Sequence, residues 1–209
     1  MSETVSQMSR RCPLVRRMFL LPLLFSIALL ALLPTDAPLV REVQAQTCAP
    51  KGHVSFGGSS FYDWIANGSP SDNSCWTRIN ATVVTATTCG FTAPAWEFAY
   101  GGSISQRFTI PSDMTSTNFN IQYKLDFDDP HNDPWWNSFQ MQVYDETTNT
   151  VLATDAFYGD MGDLYCASRS KSWTGNLAGH TIRVRFKGSV GYAETHIRVR
   201  SIALFQRLN

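Results

Sequence analysis

The sequence predicts an all-β fold, two antiparallel sheets packed as a β-sandwich of jelly-roll type, preceded by an N-terminal signal segment. Three observations carry this. Beyond residue 46, apolar and polar residues alternate in short runs, the period of a half-buried strand. Gly, Pro, Asn, Asp and Ser bound these runs and supply the turns between them. No stretch there shows the helical period, so the apolar faces must pack sheet on sheet.

The first element is the export segment. Arg10, Arg11, Arg16 and Arg17 form a positive start, and Met18–Leu33 is apolar apart from Pro22 and Ser26. Val43-Gln44-Ala45 then places small residues where a signal peptidase reads. Cleavage after Ala45 leaves residues 46–209 as a single domain, secreted or extracytoplasmic. The alternative is an uncleaved membrane anchor, although the apolar run is shorter than the ~20 residues a spanning helix needs. Arg16-Arg17 also suits a twin-arginine route, so the export route stays open.

The strands follow in order. They are expected at Val54–Phe56, Phe61–Ala66, Thr77–Ile79, Thr82–Thr87, Trp96–Tyr100 and Ser103–Ile110. The set continues with Phe119–Phe127, Ser138–Tyr144, Val151–Phe157, Asp163–Ala167, Thr181–Lys187 and His196–Phe205. In the last two, Ile182, Val184, Phe186, Ile197 and Val199 point one way, joined by Ile202 and Leu204 past a local irregularity. Arg183, Arg185, Lys187, Arg198 and Arg200 point the other. If these strands pair, five cations share one face. They then need either interleaved carboxylates such as Asp126, Asp128 and Asp145, or an anionic polysaccharide. Trp76 and Trp96 are assigned to the core, Trp173 to a loop, and Phe61, Tyr62 and Trp64 to a half-buried strand.

Of five cysteines, Cys12 falls in the signal segment. Cys48, Cys75, Cys89 and Cys166 remain, an even number after an export signal, which reads as two disulfides. Three connectivities are possible, and Cys75–Cys89 with Cys48–Cys166 is the favoured one. The chain is neutral, and because the arginines are concentrated in the signal segment, residues 46–209 are slightly acidic. Bulk attraction to nucleic acid is therefore not expected.

The order of several pieces resembles the galactose-binding-like β-sandwich of carbohydrate-binding modules in secreted bacterial proteins. Ser103-Ile-Ser-Gln-Arg-Phe-Thr-Ile-Pro111 is similar to the strand those modules write as s-Q-x-F-x-I-P. Phe119–Phe127 resembles the core strand that follows it. Ser138–Asp145 with Val151-Leu152 resembles their central hairpin, and Thr181–Lys187 with Thr195–Leu204 the closing pair. The resemblance covers roughly residues 96–206 and implies a sandwich that binds carbohydrate. Many such modules carry an Asp pair for a structural calcium in the final strand, where this sequence reads Arg200-Ser201.

One loop concentrates chemistry. Asp126, Asp128, Asp129 and Asp133 surround Pro130, His131 and Pro134 and lead into Trp135-Trp136. Asp128, Asp129 and Asp133 could hold Ca2+, which takes six to eight oxygens, or could cap their own turns. His131 reads as a loop residue. On a strand-like backbone one tryptophan would face the core and the other solvent. An exposed Trp135 or Trp136 beside Asp128 and Asp133 would form a sugar platform. Signs of an enzyme are few. No G-x-S-x-G or H-E-x-x-H occurs, and Glu97, Glu146 and Glu194 show no pairing, leaving Asp128 with Asp133 as the least implausible acid–base couple. The expectation is a secreted, non-catalytic protein whose partner is a carbohydrate or cell-surface glycan. The alternative is a cell-envelope structural or protein-interaction domain, and the third reading a secreted glycan hydrolase or lyase.

Overall fold

The structure, a computed structural model, describes residues 48–70, 74–86 and 93–208. The expected signal segment, the expected cleavage point after Ala45, and Cys89 lie outside the described residues. Among the described residues ten strands form, β1 (Gly52–Phe56), β2 (Ser59–Asp63), β3 (Thr77–Ala86), β4 (Ala93–Thr109), β5 (Asn118–Asp128), β6 (Ser138–Asp145), β7 (Thr150–Tyr158), β8 (Leu164–Thr174), β9 (Thr181–Ser189) and β10 (His196–Arg207). A 3-10 turn, Gly159–Met161, follows β7.

All pairings are antiparallel. One layer runs β1-β2-β10-β5-β8 and the other β3-β4-β9-β6-β7. β4 belongs to both, because its first half also meets β10 at Glu97 and Trp96. The expected breaks within residues 77–87 and 96–110 are kinks rather than turns. Gly101 and Asn80 both take positive φ, 64° and 45°, and the β3–β4 register shifts between Ile79 and Ala81. Asn80 Nδ2 donates to the Tyr100 carbonyl at 3.2 Å, fastening the two kinks together. Such bulges bend a strand without ending its pairing.

The core lies between the layers. Ile121, Tyr123, Leu125 and Phe127 of β5 and Ile197, Val199, Ile202 and Leu204 of β10 are buried from one side. Phe139, Met141 and Val143 of β6 and Ile182, Val184 and Phe186 of β9 are buried from the other. The rings meet across the gap, with Tyr123 5.2 Å from Phe186 and 5.8 Å from Phe139. Each such side chain contributes roughly 1.5–3 kcal/mol on burial. Trp76 and Trp96 are in this core as expected. The irregularity in β10 is a shift between Arg200 and Ala203, with Ser201 at φ 54°, and it returns Ile202 and Leu204 to the interior.

Three expectations are corrected. β9 and β10 do not pair; β9 lies between β4 and β6, while β10 lies beside β5. The five cations are therefore divided between layers. Arg198 bonds Glu97 and reaches Asp126 at 3.3 Å, so interleaving with carboxylates holds in the β10 layer. Trp173 is not in a loop; β8 extends to Thr174 and stacks this indole on Phe119 at 5.5 Å. The favoured disulfide pairing gives way to Cys48–Cys75, whose Cα atoms are 5.6 Å apart; Cys166 is disulfide-bonded as well. Pairing the Cys48 segment to the start of β3 keeps the bridge local.

Candidate ligand-binding site

The loop between β5 and β6 is organised by Asp129, which is buried. Its Oδ1 accepts from the His131 amide (3.1 Å), Asn137 Nδ2 (2.9 Å) and Thr195 Oγ1 (3.1 Å), and its Oδ2 from the Asp133 amide (3.1 Å). Asp133 repeats the device, taking the Trp135 amide at 2.9 Å and the Tyr192 hydroxyl at 3.0 Å. Gly159 packs directly against this knot, since a Cβ there would stand 2.2 Å from Asp129 Oδ2. His131 lies on the Tyr192 ring at 4.2 Å, as a loop residue would.

These carboxylates are thus occupied by N–H and O–H donors, the turn-capping arrangement rather than a cation cage. Asp128 is not part of this network, and among the described residues no group of three His, Cys, Asp or Glu is placed to hold a metal. The tryptophans also depart from expectation. Residues 134–136 form a turn, so the strand alternation does not apply, and both indoles are exposed, Trp135 by 90% and Trp136 by 54%. With Asp128 and Asp133 they converge on neither of the concave surfaces described next.

The larger concavity, about 550 Å³, lies on the β1-β2-β10-β5-β8 layer and is lined by Phe61, Phe205, Trp173, Asn120, Ser172 and Arg207 among others. Of its amides, Asn120 is engaged on both sides. Asn120 Nδ2 donates to Ser172 Oγ at 2.8 Å, and Gln122 Nε2 donates to Asn120 Oδ1 at 2.8 Å.

The second, about 310 Å³, opens on the outer face of β4, β9, β6 and β7. Its depression has a backbone cause. Gly102 pairs with Gly188, and a Cβ on Gly188 would stand 2.5 Å from the Phe98 Cβ. Glycine lets the sheet settle onto that ring. Around the hollow, Ser103, Lys187 and Gln140 are cross-strand neighbours in one row, and Ser189, Ser138 and Tyr158 in the next. The side chains of Ser103, Ser138, Ser189, Gln140, Tyr158 and Lys187 make no hydrogen bond or ion pair among the described residues. Three hydroxyls, an amide, a phenol and an ammonium are left for a ligand, and the Tyr158 ring is 45% exposed.

Sequence reasoning passed over this cleft. Its only linear signals are Gly101-Gly102 and Gly188-Ser189 inside strand patterns, where glycine marks close backbone approach. The glutamates, for their part, are engaged with basic side chains. Glu97 accepts from Arg198, Glu146 lies 3.0 Å from Arg107 and 3.2 Å from Arg183, and Glu194 faces His131 at 3.6 Å.

No family model matches the sequence, and no curated protein matches it either. Solved structures do. The chain is similar to a family 61 carbohydrate-binding module in complex with β-1,4-galactotriose, at 11% identity and TM-score 0.47 over 66% of this chain and 91% of that one. It is similar to a family 16 carbohydrate-binding module, at 12% and 0.44 over 66% and 96%. A third is the CBM22-1 xylan-binding domain of Paenibacillus barcinonensis Xyn10C, at 7% and 0.43 over 68% and 92%.

Proposed function

We propose that the protein is an exported, non-catalytic carbohydrate-binding β-sandwich whose site is the cleft between Gly101–Ser103, Ser138–Gln140, Tyr158 and Lys187–Ser189. The observation that carries this is the set of unspent polar side chains ringing a hollow beside an exposed tyrosine. Sugars need both parts, an aromatic face for their C–H groups and hydrogen-bonding groups for their hydroxyls. Export fits the Cys48–Cys75 disulfide, which persists in oxidising compartments.

Titration calorimetry of the purified protein against a panel of oligosaccharides tests the reading. Tyr158→Ala and Gln140→Ala are each expected to weaken binding about tenfold, or ~1.4 kcal/mol. Binding that both variants retain in full would place the site elsewhere, and no binding to any glycan would end the proposal.

A second reading, an envelope interaction domain, is favoured by the exposed Trp135, Met161 and Tyr165. Trp135 and Met161 sit on turns and Tyr165 near the start of β8, and the Asp129 amide donates to Asp163, whose other oxygen accepts from Tyr165. Exposed aromatic groupings of this sort commonly mark protein contact sites.

A further inference from the structure

Three cations project from one side of β9. Arg183, Arg185 and Lys187 alternate with the buried Ile182, Val184 and Phe186, so their Cα atoms follow each other at about 7 Å. β9 is central in its layer. Its outward neighbours on β4 are Ser103, Ser105 and Arg107, and on β6 Gln140, Gln142 and Tyr144. No carboxylate lies in those rows.

Compensation falls off along the strand. At the far end Arg183 has Glu146 at 3.2 Å and the Tyr144 ring at 5.3 Å. In the middle Arg185 has, among the described residues, only a neutral partner, Gln142 Oε1 at 2.5 Å. At the cleft, Lys187 has no carboxylate partner among the described residues. Desolvation by the surrounding sheet, and then the neighbouring guanidiniums, push Lys187 below the ordinary lysine value; desolvation and Arg183 do the same to Arg185. The chain as a whole is neutral, so this is a local arrangement. Like charges on neighbouring positions of one face oppose folding, and an anion placed there would offset the repulsion.

We infer that the cleft takes an acidic saccharide, its carboxylate or sulfate on Lys187 with Arg185 behind it, and its ring against Tyr158. The inference rests on the carbohydrate-binding reading of the same cleft and adds the ligand's charge. The unspent hydroxyls and amide favour a polyhydroxylated anion over a nucleic acid or an acidic peptide.

The test compares binding of trigalacturonic acid, its methyl ester and a sulfated galactotriose to the purified protein, each at low and at 0.15 M salt. The acid is expected to bind at least tenfold more tightly than the ester, with the margin shrinking at higher salt as screening dictates. Lys187→Gln should erase that margin, and Lys187→Arg should keep most of it. Equal binding of acid and ester, still dependent on Tyr158, overturns the acidic class and leaves the carbohydrate reading standing. Loss of all saccharide binding overturns both. Competition by polyglutamate or oligothymidylate as effective as by the acid also overturns the inference. Preference for the sulfated over the carboxylated sugar supports it and identifies the anion. Because Lys187 is exposed and repelled by its neighbours, a melting temperature for Lys187→Gln no lower than wild type confirms that the variant is folded.

Discussion

Arg169 on β8 holds Asp155 on β7 through two hydrogen bonds, of 2.8 and 3.0 Å, although those strands do not pair. Tyr123 adds its hydroxyl at 2.7 Å from β5, and Lys171 stands at 3.5 Å. Asp155 is 7% exposed, so this cluster closes one side of the sandwich where no backbone ladder does. Removing a partner from such a pair costs about 3–5 kcal/mol when fully buried. Arg169 is partly exposed, so Asp155→Ala is expected to cost about 2–4 kcal/mol in urea unfolding, and Tyr123→Phe about 1 kcal/mol.

The same cluster sets an acid limit. Burial alone would raise the Asp155 carboxyl, but Arg169, Tyr123 and Lys171 together outweigh it and hold it below the ordinary value of 3.8. Asp145 is held low too, with burial opposed by Thr148, His180 and Thr147. A depressed folded value means that the unfolded chain binds more protons across the interval between the two values. The contribution to stability is therefore complete above the ordinary carboxylate range and is lost as pH falls through the folded value. Melting temperatures measured from pH 6 down to 2 should decline below about pH 4, and more gently in Asp155→Asn.

Because Asp129 is saturated by protein donors, calcium or a chelator should move the melting temperature by less than about 1 °C, well under what a bound cation in excess produces. Asp129→Ala should cost about 2–4 kcal/mol by stranding buried donors. A calcium-dependent rise that Asp129→Ala abolishes would return the loop to a metal role.

Trp135→Ala removes a side chain that packs on nothing, so stability should change by no more than about 0.5 kcal/mol. Saccharide binding at the cleft should match wild type. A tenfold loss would instead make the turn part of the site.

Peptide mapping without reduction should recover Cys48 joined to Cys75. Cys48→Ser opens a bridge with a sequence separation of 27, worth about 3–4 kcal/mol in the chain-entropy treatment.

Much of the frame could be read from residues alone. The alternation of Phe119–Phe127 and Thr181–Lys187 fixes which side chains are buried, and the drift past Arg200 announces the β10 irregularity. Pairing was less legible. Successive strands are neighbours roughly two-thirds of the time, yet β9 and β10 lie in opposite layers. The second half of β8 was hidden because Arg169 and Lys171 occupy inward-leaning positions that look polar until Asp155 is placed opposite. The Trp135-Trp136 pair misled because a turn does not alternate. The cleft was invisible for a different reason. Ser103, Gln140, Tyr158 and Lys187 come from four strands, and nothing in the linear order of serines and glutamines says they will ring one hollow.

The joined kinks at Asn80 and Gly101 bend β4 between the layers and also place Gly101 and Gly102 at the rim of the cleft. Curvature and cavity are therefore one inheritance. A single-residue insertion or deletion in that bend would slip the register and turn Ser103, Ser105 and Arg107 toward the interior. Descendants of this chain can change the lining of the cleft by exchanging outward side chains on β6, β7 and β9. They cannot relocate the hollow without rebuilding the corner of the sandwich.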